Sequence, residues 1–73
     1  MQKRIELMNF PENLKMFRKE KDMGQEALAR LLKISLKTIS HWETGYTEPS
    51  ILQLCQLADI FEISIDELVG RIS

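Results

Sequence analysis

The stretch GQEALARLLKISLKTISHWETG, Gly24 to Gly45, holds two short amphipathic segments and the chain's only Trp and only His. In the first segment Leu28, Leu31 and Leu32 form an apolar face. Ala29 sits among them, a small residue that lets another helix cross closely. Lys33–Ile34–Ser35 then makes a three-residue turn, with Ser35 as the N-cap of the second segment and Gly45 as its stop. At about 100° per residue, Leu36, Lys37, Ser40, His41 and Thr44 share one arc of about 140°. Ile39 and Trp42 fall on the opposite side as anchors. An outward edge of this kind admits two readings. It is either the solvated face of any amphipathic helix, or a set of groups suited to base edges: Lys donates, Ser and Thr do both, and Leu meets a thymine methyl.

The flanking sequence supplies three more helices. In FPENLKMFRKEKD, Pro11 suits the first helical position and Glu12 the positive end of the dipole. Phe10, Leu14 and Phe17 make one apolar stripe, and Asp22 ends the helix in a left-handed conformation that Asp tolerates. After the loop GYTEP, where Pro49 blocks continuation, SILQLCQLADIF begins with Ser50 and Gln53 spaced as a capping box. Its core stripe is Leu54, Leu57, Ala58 and Phe61. SIDELVG repeats the device with Ser64 and Glu67, stops at Gly70, and turns Leu68 and Ile65 inward. The expected fold is all-α, a five-helix bundle over residues 10–70. Residues 1–9 form an N-terminal extension, where Ile5 and Leu7 alternate with charge as in a short strand, or a frayed terminus. Residues 71–73 are a C-terminal tail.

Composition narrows the function. Seventy-three residues make one small domain that buries only roughly 60% of its unfolded surface, with room for one core and no deep cavity. The single Cys55 excludes an internal disulfide and a multi-Cys zinc cage and suits packing. No apolar run reaches the ~20 residues of a membrane span, and no signal-peptide h-region is present, so the expected setting is the cytoplasm. The net charge of −1 hides a division. Residues 1–47 carry +3 and residues 48–73 carry −4, so the half with the polar helix edge can still face an anion.

Two helices joined by a three-residue turn, with a small residue in the middle of the first, have helix-turn-helix geometry, here over about residues 24–44. In order and spacing, QEALA, IS-x-x-TIS-x-WE-x-G, EPS, LA followed by F-x-IS, and IDEL resemble the Cro/C1-type, or XRE-like, helix-turn-helix DNA-binding family. The resemblance runs from about Leu14 to Gly70 and implies a lambda-repressor-like bundle from a prokaryotic or phage regulator. It implies base contacts at Leu36, Lys37, Ser40 and His41, and phosphate contacts at Gln25, Arg18 and Thr38. It also implies a pair between Arg18, late in helix one, and Glu43, closing helix three. The alternative is two unconnected surface charges, whose pairing in solvent is worth about 0–1 kcal/mol.

Three positions depart from the family pattern. Gly24 stands where Ser or Thr usually caps helix two, a loss of a few tenths of a kcal/mol. Lys33 and Glu62 stand where Gly is common, and a left-handed backbone at either costs roughly 1–2 kcal/mol. Lys33 in exchange offers the turn a further cation for phosphate.

Three classes of function come into question. The first is sequence-specific binding of double-stranded DNA. A homodimer on a palindromic operator would place half-sites about one helical turn apart, with repression by operator occupancy. The C-terminal half, apolar around Ile51, Ile60 and Val69, would be the dimer face. In the bound state the protein would associate with the nucleoid. The second is an antitoxin-like module that grips a partner protein and its own promoter. The third, an enzyme, fits poorly: Ser40 and His41 are neighbours on a helix and project in different directions, with no cleft or oxyanion donor implied. No cofactor is expected, and one His with one Cys makes no zinc site.

Overall fold

The computed structural model describes residues 9–70, so the reading of an N-terminal extension falls almost wholly outside the described residues, as does the tail. Five helices follow in order: α1 (Phe10–Glu20), α2 (Gln25–Leu32), α3 (Leu36–Thr44), α4 (Ile51–Phe61) and α5 (Ile65–Val69). The described residues are all helix, turn and loop.

The helix starts follow from short polar side chains. Ser35 Oγ accepts the Thr38 N–H at 3.1 Å. Ser50 with Gln53, and Ser64 with Glu67, make complete reciprocal capping boxes. Gly24 opens α2 from an extended backbone without a side-chain cap. Helix α1 starts one residue earlier than the Pro signal suggests: Asn9 is the N-cap and Phe10 the first helical residue. At its other end Lys21 is the C-cap and Asp22 takes φ 52°.

Four helix ends share one hydrogen-bond pattern. After α1, Asp22 is left-handed (φ 52°) and the Met23 N–H reaches the Arg18 carbonyl at 3.0 Å. After α2, Lys33 is left-handed (φ 58°) and the Ile34 N–H reaches the Ala29 carbonyl at 3.0 Å. After α4, Glu62 is left-handed (φ 58°) and the Ile63 N–H reaches Ala58 at 3.0 Å. After α3, Gly45 (φ 80°) is followed by Tyr46, whose N–H reaches His41 at 2.9 Å. These are Schellman turns, in which a hydrophobic contact from the residue after the left-handed one commonly accompanies the bonds. Met23, Ile34 and Ile63 fulfil that role by packing against the core. Their burial offsets the strain of a left-handed Asp, Lys and Glu, which is how three non-glycine residues hold glycine-like turns.

The core joins Phe10 and Leu14 of α1, Leu28 and Ala29 of α2, Ile39 and Trp42 of α3, Leu57, Ala58 and Phe61 of α4, and Leu68 of α5. Phe17 lies at its edge, its ring stacked on Phe61 at 6.0 Å. Ala29 is buried, and α2 packs on α3. That contact rotates α2 so that Leu28, Ala29 and Leu32 face inward. Leu31, on the far side of Leu28 from Ala29 at about 100° per residue, is left 58% exposed rather than joining the apolar face. Val69 corrects the expected dimer face: it is 1% exposed and belongs to the buried set. Asn13 ties α1 to the end of α5, its Nδ2 donating to the Leu68 carbonyl at 3.2 Å. The Gly70 backbone (φ 81°) sits so near Asn9 and Asn13 that an added Cβ would lie 3.0 Å from each.

Candidate nucleic-acid interface

Helix α3 is bedded by Ile39, Trp42 and Glu43, all buried. Burying Glu43, 5% exposed, requires compensation, because an unpaired carboxylate in such a place is strongly unfavourable. Arg18 of α1 supplies it. Its Nε donates to Glu43 Oε2 at 2.6 Å and its Nη2 to Oε1 at 3.0 Å, a two-pronged charge-assisted contact. Arg18 Nη1 donates to the Met23 carbonyl at 2.9 Å. Gln25, first residue of α2, donates its Nε2 to Glu43 Oε1 at 3.0 Å. Side chains from α1 and α2 thus converge on one carboxylate of α3, and every buried side-chain polar atom among the described residues has a partner.

Burial pushes the Glu43 carboxyl up. The hydrogen bonds from Arg18 and Gln25, with the charges of Arg18 and Lys15, outweigh it and hold the group below the usual carboxylate range. The hydrogen bond to Glu43 likewise raises Arg18 above its ordinary value, against an opposing effect of burial. Both charges persist at neutral pH, so the relative placement of α1, α2 and α3 is held by an ion pair rather than by apolar contact alone.

On the opposite side of α3, Leu36 and Lys37 are exposed and Ser40 and His41 half-buried. These four lie on the outer edge of one helix. Thr38 is half-buried at the first turn, its Oγ1 2.8 Å from Ser35 Oγ. Lys33 is exposed in the turn before α3 and makes no ion pair among the described residues. Gln25 stands at the N-terminus of α2, with its side-chain amide directed to Glu43. Arg18 differs from the other residues expected at phosphate. Its side chain is 10% exposed and all three of its nitrogens donate within the protein, which leaves it little to offer a ligand.

Two features of the site carry no sequence signal of their own. The Met23 carbonyl that completes the Arg18 shell comes from the backbone. The ring of Tyr46 meets His41 edge-on, centroids 4.7 Å apart, and that contact depends on how the turn at Gly45 folds. Among the described residues no cluster of three or more His, Cys, Asp or Glu is placed to hold a metal ion, and no helix is long and apolar enough to cross a membrane.

Comparison with known proteins agrees with this geometry. A family model described as helix-turn-helix matches residues 14–68. The HTH-type transcriptional regulator AnsR of Bacillus subtilis is 40% identical over 60 residues, which cover 82% of this chain and 52% of AnsR. The cryptic phage CTXphi transcriptional repressor RstR of Vibrio cholerae is 39% identical over 64 residues, 88% of this chain and 57% of RstR. A crystal structure of a transcriptional regulator from Listeria innocua matches with a TM-score of 0.82 at 39% identity, over 88% of this chain and 60% of that one. The chain spans about half the length of these curated relatives. With a matched model covering most of the bundle and the same fold in a related regulator, the chain belongs to the Cro/C1-type helix-turn-helix family of DNA-binding transcriptional regulators, which is not a family of enzymes.

Proposed function

We propose that this protein reads a specific sequence in double-stranded DNA and represses transcription by occupying an operator as a homodimer. The observation that carries the reading is the two-sidedness of α3. Its inner side is locked through Glu43 to Arg18 and Gln25, and its outer edge offers Leu36, Lys37, Ser40 and His41 without internal hydrogen bonds from their side chains. A helix of 9 residues is about 14 Å long and enters the major groove with its first turns against base edges. In this reading Lys37, Ser40 and His41 exchange hydrogen bonds with bases and Leu36 meets a thymine methyl. Lys33, Thr38 and Gln25 hold phosphates at the rim. Arg18 acts from behind, by aiming α3.

One helix of this length reads only a few base pairs, so affinity calls for a second copy and a palindromic site with half-sites about one helical turn apart. The C-terminal half offers Ile51 and Leu52, 78% and 68% exposed at the start of α4, as the apolar contact between copies. Repression accords with the similarity to RstR, named a transcriptional repressor. An operator placed beside rather than over a promoter would let the same contacts activate.

Selection of bound sequences from a random duplex pool tests this. The expected outcome is a palindrome with half-sites about 10 base pairs apart, and repression in vitro when that palindrome overlaps a promoter. Failure to enrich any sequence at low salt refutes the reading and favours a protein partner.

A further inference from the structure

Tyr46 has no part in the DNA contacts proposed so far, yet its placement is unusual within this fold. Of the four Schellman turns, those after α1, α2 and α4 send the residue following the left-handed position against the core, as Met23, Ile34 and Ile63. The turn after α3 puts Tyr46 at that position and leaves it 76% exposed. Its ring lies against the imidazole of His41, centroids 4.7 Å apart and planes at 63°. The backbone between them is fixed. The His41 carbonyl accepts the Tyr46 N–H at 2.9 Å, the Thr47 N–H at 3.3 Å and the Thr44 hydroxyl at 3.2 Å. Among the described residues the His41 side chain has no hydrogen bond, so the Tyr46 ring is the one directional contact that restrains it.

We propose that Tyr46 is a positioning residue for base recognition: it orients the His41 imidazole at the edge of α3 and so sets sequence preference at the base pair that His41 faces. This rests on the DNA reading above. A neutral imidazole carries one donor and one acceptor on different ring atoms. A freely turning ring exchanges them in space and matches several base edges. A held ring presents one pattern, and the ordering is complete before the DNA arrives, which lowers the cost of binding. An edge-to-face aromatic contact is strong enough to bias the ring by about two- to tenfold.

The test compares the wild-type protein with Tyr46→Phe, Tyr46→Ala, His41→Ala and the double variant Tyr46→Ala/His41→Ala, each passed through the same random duplex pool. The expected result is that Tyr46→Phe enriches the wild-type sequences. Tyr46→Ala loses about two- to tenfold of discrimination at the positions that His41→Ala also loses, and the double variant is no worse than His41→Ala alone. In the free protein, the His41 Cε1–H proton resonance should carry a ring-current displacement that persists in Tyr46→Phe and vanishes in Tyr46→Ala. Circular dichroism should show both Tyr46 variants folded, because the ring removed is on the surface. An unchanged Tyr46→Ala profile, or an equal loss of affinity for all sequences, overturns the proposal while leaving the DNA reading in place. A wild-type pool without enrichment overturns both.

Discussion

Replacing Lys33 separates stability from binding in this domain. Lys33 closes α2 in the left-handed conformation at φ 58°, which costs a non-glycine residue roughly 1–2 kcal/mol. Glycine removes that strain and gives back about 0.5–1 kcal/mol through the greater freedom of its unfolded chain. The turn's own bonds, Ile34 N–H to Ala29 and Lys33 N–H to Arg30, are backbone bonds and survive the change. Lys33→Gly should therefore stabilise the fold by about 0.5–1 kcal/mol, a rise in Tm of about 2–8 °C for a domain of this size. The same substitution removes an exposed cation from the turn before α3. If Lys33 touches one phosphate, the slope of log K against log salt on the selected duplex should become shallower by about 0.9. Lys33→Ala is the control: it keeps a Cβ, and with it the strain, so it should lose the salt slope without gaining stability. Urea denaturation and a salt series of binding isotherms read the two effects independently. A Lys33→Gly variant less stable than wild type would refute the strain assigned to the turn. An unchanged salt slope in both variants would remove Lys33 from the phosphate contacts.

Arg18→Met should destabilise the fold by about 3–5 kcal/mol in urea, because it leaves the Glu43 carboxylate buried and unpaired; a loss below about 1 kcal/mol would mean that the pair does not hold α1 to α3. Glu43 is held below the usual carboxylate range in the fold, so the folded state binds its proton less tightly than the unfolded one. The stabilisation is complete above the ordinary value of about 4.3 and is lost as pH falls through the lower folded value. Glu43→Gln should flatten that part of the acid denaturation profile, and a profile of unchanged slope would contradict it. Gly70→Ala should cost at least about 1 kcal/mol, since it adds left-handed strain to a Cβ placed 3.0 Å from Asn9 and Asn13; equal thermal stability would show that the turn yields. Lys37→Ala should weaken binding to the selected palindrome and relax the preference at one position if Lys37 reads a base, whereas identical affinity and preference at low salt would take it out of the interface.

The helix boundaries are legible in the sequence because their causes are local. Ser35, Ser50 with Gln53, and Ser64 with Glu67 bond to groups three residues away, and Gly45 and Gly70 close their helices within one turn. The inner side of α3 is legible for a related reason: Ile39 and Trp42 mark it at helical spacing. Burial is less legible, because the neighbours decide it. Leu31 and Leu32 are adjacent apolar residues, and the packing of α2 on its neighbours decides which of them turns outward. Val69 follows a charged turn and resembles a surface residue until α5 is seated against α1. Arg18 and Glu43 lie 25 positions apart, so neither periodicity nor spacing shows how deeply the pair is buried, and only the family resemblance points to their meeting. The contact of Tyr46 with His41 has no periodic signature, because it depends on a left-handed residue reversing the chain between them.

These positions divide the protein's energetics in a way that matters for how it can change. Arg18, Gln25 and Glu43 join three helices through one carboxylate, so a change there alters both the stability of the bundle and the aim of α3. Substitutions at these residues cannot tune affinity without risking a small fold of limited core. Lys33, Lys37, Ser40 and His41 lie on the other side of the same helix or in its preceding turn, where side chains contribute little to the core. In the proposed reading, base preference can therefore vary at Lys37, Ser40 and His41 with little effect on folding. Lys33 is the exception in that its backbone carries strain its side chain does not relieve. A left-handed lysine where glycine is easier makes sense if the cation is used, and the opposite signs expected for stability and salt dependence in Lys33→Gly decide whether it is.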